Sequence, residues 1–408
     1  INLRCAMRIE TTLIILFSIA TAAAIAARWI RIPYTVALVV AGMVLGGTQL
    51  IDPPHLTRDL LFVVILPGLL FEAAFNMDVD VFLKNKLAIT ALAIPGVVVA
   101  IVIAGTGAAL AIGGLTSRVG FTLQQGLVFG ALVAATDPIA VVALFKELHV
   151  PRRLATLIEG ESLMNDGTSI VLLSLLLAAV SGAATSTGQL VLRFIIVVGG
   201  GGFLGYVVGT AASTLISKID DAVIEITITM ITAYGTFAFA QQAGVSGVIA
   251  TVVAGMYCGN EGRLTAMSPK TRFALGAFWE YIAFALNSVV FLLIGFDVSG
   301  SALLKAWPEI LIAFVVVVIA RAAVVGGIGG LLHRTKEPIP RSWLPVMTWG
   351  GLRGALSMVL ALSLPFDFPN RALLITLTFG VVVLSILLQG LTMQRLLRKV
   401  GLAGHPAE

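Results

Sequence analysis

Residues 160–170 read GESLMNDGTSI, and they run without a break into the apolar stretch VLLSLLLAAV at 171–180. Two carboxylates, Glu161 and Asp166, therefore open a segment otherwise suited to hydrocarbon. Whether that segment is a membrane helix decides the fold, and the rest of the chain answers. Of 408 residues, 58% are hydrophobic and 12% charged, where a soluble domain carries roughly 25% charged residues. Apolar runs of about 20 residues, the length that crosses a hydrocarbon core as a helix, recur along the whole chain. Runs such as FVVVVIARAAVVGGIGGLL (314–332) do not alternate in polarity as barrel strands must. The chain reads as an all-α polytopic membrane protein, a single transmembrane domain over 1–408 with no segment left for a soluble one.

Thirteen spanning segments are expected, at 9–27, 33–50, 60–76, 87–115, 123–147, 154–181, 188–216, 222–241, 243–259, 273–297, 303–333, 341–365 and 370–394. An odd number puts the termini on opposite sides. Of the 26 Lys and Arg residues, seventeen fall on the side that holds the first loop and the C-terminus, and seven on the other. The positive-inside rule then places the C-terminus in the cytoplasm and the N-terminus outside. A net charge of +5 spread over short loops forms no basic stripe, so no nucleic-acid partner is expected. Cys5 and Cys258 are too far apart in sequence to suggest a metal site or a disulfide framework. His55, His149, His333 and His405 fall in loops or the tail. There solvation is the simplest role, although His149 and His333 on the cytoplasmic side are candidates to sense pH. Met7 is a plausible start, which makes residues 1–6 an upstream remnant.

The two remaining basic residues, Arg321 in VVIARAAVV and Arg353 in WGGLRGALSM, lie inside apolar segments. A lone cation there costs at least about 2.5–3.5 kcal/mol, so each should face a partner or a wet cavity. The acidic residues at comparable depth are Asp137 in LVAATDPIAVVAL, Glu161, Asp166, and Glu72 in LLFEAAF. Glu225, Glu280 and Glu309 fall near segment ends or in an interfacial belt beside Trp279 and Trp307, and read as solvated or structural.

At 100° per residue Ser162, Asp166 and Ser169 share one helix face, while Glu161, Asn165 and Thr168 share another about a quarter turn away. The two carboxylates thus face different neighbours. One can be satisfied by a buried arginine while the other stays free to titrate or bind. Pro138 removes a backbone donor and disfavours helix at Asp137, which predicts a break in mid-span and frees carbonyls for a cation. Gly350, Gly351 and Gly354 around Arg353 predict a second unwound stretch. Two interrupted helices, one in each half, point to the binding site of a transporter built from inverted repeats. Each feature alone has a plainer reading: a proline kink, close helix packing at the glycines, or a structural ion pair, which is the favoured role for Glu161. The coincidence of two carboxylates, hydroxyls and a broken helix argues against a structural role alone for Asp137 and Asp166.

In this order and spacing, ATDPIAVVALF, GESLMNDGTSIVL, ARA and GGLRGALS resemble the NhaP/NHE branch of monovalent cation:proton antiporters. The resemblance covers nearly the whole chain. It implies an inverted-repeat fold of thirteen helices with two crossing, partly unwound helices, and a homodimer in the cell membrane. It divides the chain into an ion-transporting bundle at 87–181 plus 303–394, a dimerisation bundle at 9–76 plus 222–297, and a connecting helix at 188–216. Carried over by position, Asp166 alternately takes the cation or the proton. Asp137, Ser162 and the backbone carbonyl of Thr136 are further ligands for Na+. Asn165 is the first member of the family's Asn-Asp pair, Glu161 pairs with Arg321, Arg353 balances charge, and Glu72 lies on the approach to the site.

The activity so implied is exchange of Na+, with Li+ as a companion substrate, for H+, without a cofactor beyond the transported ions. Burial disfavours the charged form of a carboxylate and a bound cation favours it, so the two ligands exclude each other. Electrogenic relatives carry two successive aspartates, and Asn165 before Asp166 therefore predicts electroneutral one-for-one exchange. A chain ending at residue 408 is expected to lack tail-mediated regulation. The rivals are K+/H+ exchange, a channel or receptor using the same buried site, and an intramembrane aspartyl protease. Such a protease has Gly-x-Gly before its second aspartate, where this chain has Met164 and Asn165.

Overall fold

The computed structural model describes residues 3–30, 32–48, 59–115, 120–181, 186–260, 269–297 and 300–402, and no strand occurs among them. His55 and His405, read above as loop or tail residues, lie outside the described residues, as do Arg31, Arg58, Arg118 and Arg263 of the loop-charge count. The first helices are α1 (Leu3–Ile30), α2 (Tyr34–Thr48) and α3 (Leu66–Asn76), the last preceded by a π-helical turn at Leu60–Ile65. There follow α4 (Val79–Lys84), α5 (Lys86–Ala93), α6 (Pro95–Leu115), α7 (Leu123–Leu132), α8 (Ile139–Glu147), α9 (Arg152–Val180) and α10 (Thr187–Ile216). Next come α11 (Ala222–Gln242), α12 (Gly247–Tyr257), α13 (Pro269–Asp297), α14 (Gly300–Lys305) and α15 (Trp307–Leu332). The chain closes with α16 (Leu344–Trp349), α17 (Ala355–Leu362), α18 (Arg371–Leu384), a second π-helical turn at Ser385–Gln389, and α19 (Gly390–Lys399).

Among the described residues, seven helices or helix runs are long and apolar enough to cross a membrane and five more are shorter and apolar. Large apolar side chains on them, such as Leu110, Phe203, Ile231 and Leu331, stay exposed, as a lipid-facing surface requires. The backbone of each helix satisfies itself, which is the condition for residence in hydrocarbon.

Local chemistry explains where the elements depart from the expected segments. The segment expected at 87–115 is divided at Ile94, because Pro95 has no N–H to continue the ladder. The segment expected at 243–259 starts at Gly247: Gly244 takes a left-handed φ of +72° that ends α11, and Ser246 caps α12 by accepting from Ile249 N. The last segment runs past 394 to Lys399, so Arg395, Arg398 and Lys399 lie on helix rather than in a loop. Trp279 is no belt residue. It is fully buried, packs on Phe71 with ring centroids 4.8 Å apart and donates Nε1–H to Thr229 Oγ1, whereas Trp307 is 62% exposed. Glu225 and Glu309 are likewise buried among helices, and only Glu280 of that trio is exposed.

The packing that positions the site joins helices both adjacent and far apart in sequence. α2 packs on α13, α3 on α12 and α13, and α11 on α12 and α13. Separately, α6 packs on α7 and α15, α9 on α5 and α7, and α18 on α15 and α17. α10 touches α9, α11 and α12. Contact between α6 and α7 is backbone on backbone, since a Cβ on Gly126 would collide with the carbonyl oxygen of Gly105. Small residues at such crossings allow the approach on which helix association in lipid depends.

Candidate functional site

Two helices are interrupted, and their interruptions meet. Between α7 and α8 residues 133–138 leave the helix, and between α16 and α17 residues 350–354 do the same. The amide of Asp137 donates to the carbonyl of Leu352 at 2.8 Å, joining the two unwound stretches directly. α7, the first half of one segment, packs on α17, the second half of the other, so the two segments run antiparallel. Both breaks lie near the middle of their segments, with nine and ten residues in α8 and α7 on either side of the first.

The Asp137 carboxylate accepts from Ile139 N, the first amide of α8, at 3.0 Å. It also lies against Gly354, the residue that precedes α17, so the positive ends of two half helices converge on it. α9 supplies the facing side chains. Ser162 Oγ donates to the carbonyl of Thr136 in a short hydrogen bond. Asn165 Nδ2 donates to the carbonyl of Ala134 at 3.0 Å and to Thr136 Oγ1 at 3.4 Å, and its Oδ1 accepts from Ser169. Asp166 sits one residue beyond, half-buried, with its Oδ1 enclosed and without a hydrogen-bond partner. It lies one turn along the same face of α9 from Ser162, which holds the carbonyl of Thr136, the neighbour of Asp137.

The arginines take different work. Arg321 on α15 grips the Glu161 carboxylate with both terminal nitrogens and also donates to the carbonyl of Met347, just before the second break. Arg353 lies in that break. Its Nη1 donates to the carbonyls of Ala134 and Ala135 at 2.8 and 3.2 Å, so a cation stands just beyond the C-terminal, negative end of α7. All of the oxygens gathered here are hard donors, suited to an alkali cation in the way that oxygen ligands suit other hard cations.

The structure therefore brings Asp137, Thr136, Ser162, Asn165 and Asp166 together at the crossing, with Glu161, Arg321 and Arg353 around it. Glu72 is apart. It is half-buried on α3 and accepts from Asn76 Nδ2 at 2.8 Å. The helical wheel set Asn165 a quarter turn from Ser162, yet both reach the first break, Ser162 at the Thr136 carbonyl and Asn165 at the Ala134 carbonyl and the Thr136 hydroxyl.

Sequence reasoning missed two participants. Ser385 and Gln389 sit in the second π-helical turn, and Ser385 Oγ accepts from the amide of Arg353 at 3.0 Å. The signal was present: two polar residues four apart within the apolar run VVVLSILLQGL. A second missed feature is Glu159, half-buried on the Asp166 face of α9, near Lys146 and Glu72.

A carboxylate held without a partner at the crossing of two interrupted membrane helices defines a membrane transporter with its binding site in mid-span. The comparisons make the class specific. The chain matches the model of the family described as sodium/hydrogen exchanger, transmembrane, over residues 14–399, and it belongs to that family. It is 40% identical over 405 residues to the Na+/H+ antiporter ApNhaP of Aphanothece halophytica, covering 98% of this chain and 76% of that one. It is 33% identical to the Na+/H+ antiporter NhaH of Halobacillus dabanensis, covering 96% and 97%. Its fold resembles the solved structure of the sodium proton antiporter MjNhaP1 from Methanocaldococcus jannaschii at pH 8, with a TM-score of 0.79 over 98% of this chain and 100% of that one, at 20% identity. The protein is accordingly a transporter and not an enzyme, and the protease reading is set aside.

Proposed function

We propose that this protein exchanges Na+, with Li+ as a companion substrate, for H+ across the membrane, one for one, by competition of cation and proton for Asp166. The observation that carries the reading is the asymmetry of the two carboxylates on α9. Glu161 is neutralised by Arg321, whereas Asp166 has an enclosed oxygen with no partner and Asp137 beside it. A proton removes the repulsion between the aspartates, and so does a cation, but not both at once. Ser162 and the Thr136 carbonyl, already in contact, supply two further oxygens once the hydroxyl turns its hydrogen aside. The names of the relatives, Na+/H+ antiporters, favour sodium as the cation.

Electroneutrality rests on Asn165, whose amide is committed to hydrogen bonds at both ends and carries no charge. If the site turns from side to side only when loaded, the downhill flow of one ion drives the other uphill. The packing of α5–α9 with α15–α18, and of α1–α3 with α11–α13, supports a division into a moving ion-transporting bundle (87–181 plus 303–394) and a dimerisation bundle (9–76 plus 222–297) in a homodimer. The helix at 188–216 connects them. The charge bias of the loops supports an outside N-terminus and a cytoplasmic C-terminus in the cell membrane, with thirteen crossings.

The test is a panel of monovalent cations added to pH-loaded proteoliposomes containing a pH dye, with Asp166→Asn as control. Sodium and lithium are expected to dequench the dye and the control to be silent. Dequenching by potassium alone would turn the reading to K+/H+ exchange, and an active control would remove Asp166 from its role.

A further inference from the structure

The second unwound stretch is held from behind by the last helix, at both of its ends. On one side Trp349 Nε1 donates to Thr392 Oγ1 of α19 at 2.8 Å. On the other the Arg353 amide donates to Ser385 Oγ at 3.0 Å, and the same hydroxyl passes its proton to Gln389 Oε1 at 2.5 Å. Ser385 and Gln389 are buried, at 1% and 3% exposure, in a span with few other polar side chains. They form the ends of a π-helical turn closed by Gly390 N on the Ser385 carbonyl. An extra residue in a helix turn disrupts the regular ladder, and such turns recur at functional sites.

These bonds continue into the site. Arg353 N belongs to the same peptide group as the Leu352 carbonyl, which accepts from the Asp137 amide. The Arg353 side chain meanwhile holds the Ala134 and Ala135 carbonyls, next to Thr136. A relay thus runs from Gln389 through Ser385 to the backbone of Arg353, and from there by two routes to the first break. We propose that Ser385 and Gln389 are positioning residues of the exchange site, which set the second unwound stretch so that Asp137 and the Thr136 carbonyl stand at cation-binding distance from Asp166. Neither residue touches the cation. The serine hydroxyl accepts and donates at once, and glutamine orients that polarity because only its amide oxygen can accept the hydroxyl proton.

The inference rests on the exchange reading, and one experiment separates the two. Wild type, Asp166→Asn, Ser385→Ala, Ser385→Thr and Gln389→Leu are reconstituted in pH-loaded proteoliposomes. The half-saturating Na+ concentration and the maximal rate are measured by dye dequenching, with melting in detergent in parallel. Ser385→Ala is expected to raise half-saturation about tenfold, the equivalent of one lost buried hydrogen bond, with little change in maximal rate. Ser385→Thr keeps the hydroxyl and is expected to return half-saturation toward wild type. Gln389→Leu is expected to change it in the same direction as Ser385→Ala, and decides the matter if the latter does not assemble. The proposal is overturned if half-saturation stays at the wild-type value in both, if threonine fails to rescue alanine, or if the variants lower only the melting temperature. Exchange retained by Asp166→Asn would instead refute the reading of the site itself.

Discussion

Arg321 and Glu161, 160 residues apart in sequence, meet as a two-pronged ion pair in the interior, with Nη2 to Oε2 at 2.8 Å and both residues almost wholly buried. Arg321 extends the pair to the Met347 carbonyl, so one guanidinium ties α9, α15 and α16 together. The planar fork of arginine fits a carboxylate in two places at once, which a lysine ammonium does not. The pair therefore fixes the helix that carries Asp166 against the helix that leads into the second break.

Removing one partner leaves a buried charge without compensation, which costs about 3–5 kcal/mol in comparable buried pairs. Glu161→Gln and Arg321→Ala are each expected to lower the melting temperature in detergent. The double variant Glu161→Gln/Arg321→Met should lose less than the two single losses combined, since no charge is stranded. Unchanged melting in both single variants would leave the clamp without support.

Gly354 is a question of space and not of backbone freedom. Its φ of −129° and ψ of −158° are open to any residue, but a Cβ there would stand 2.7 Å from the Asp137 carboxyl carbon. Gly354→Ala must push Asp137 aside and is expected to raise half-saturating Na+ by about tenfold or more, each tenfold being about 1.4 kcal/mol. Gly327→Ala, where a Cβ meets nothing within 4 Å, is the silent control. Equal half-saturation in the two variants would show that the contact has no bearing on the site.

Asn165 presents donors to the Ala134 carbonyl and to Thr136 Oγ1. An ionised carboxylate in its place would set oxygen against oxygen, and a carboxyl keeps the bond only while it holds its proton. Asn165→Asp is therefore expected to lower stability by about 1–3 kcal/mol, the cost of a buried polar group left unpaired. Since electroneutrality rests on Asn165, exchange in the variant should become sensitive to an imposed membrane potential. Transport that stays independent of potential would mean that the new carboxyl keeps its proton through the cycle and that Asn165 does not set the stoichiometry.

Much of this was legible in the residues because hydrocarbon makes polarity conspicuous. Asp137, Arg321 and Arg353 each stand as the one charge in an apolar run, Glu161 and Asp166 open another, and Pro138 and the three glycines mark the two breaks. Partners across the fold were less legible. Spacing along α9 separates Glu161 from Asp166 but cannot say that Ser162 and Asn165 both reach the first break, nor that Gly351 and Gly354 leave room for Arg321 and Asp137. Ser385 and Gln389 escaped for the same reason: a serine in a membrane helix usually satisfies itself on its own backbone, as Ser174 does on Ile170. Only the fold shows that Ser385 serves another chain segment.

The dependence of transport on pH follows from two ligands sharing one carboxylate. Below the titration of Asp166 the fraction free of a proton falls tenfold for each pH unit, so the half-saturating Na+ concentration must rise by about tenfold per unit as pH falls. Saturating Na+ displaces the proton and restores the rate, so the rise is in half-saturation and not a loss of maximal rate. Above the titration the carboxylate is already free, and half-saturation becomes level with pH. The direction is set by the chemistry: acid opposes sodium because both require the same oxygens. Measuring Na+ saturation at a series of pH values, at equal pH on both sides and with a radioactive sodium tracer, tests this directly. A half-saturation independent of pH, with only the maximal rate falling in acid, would place the proton on some group other than the cation's ligand and would end the competition mechanism.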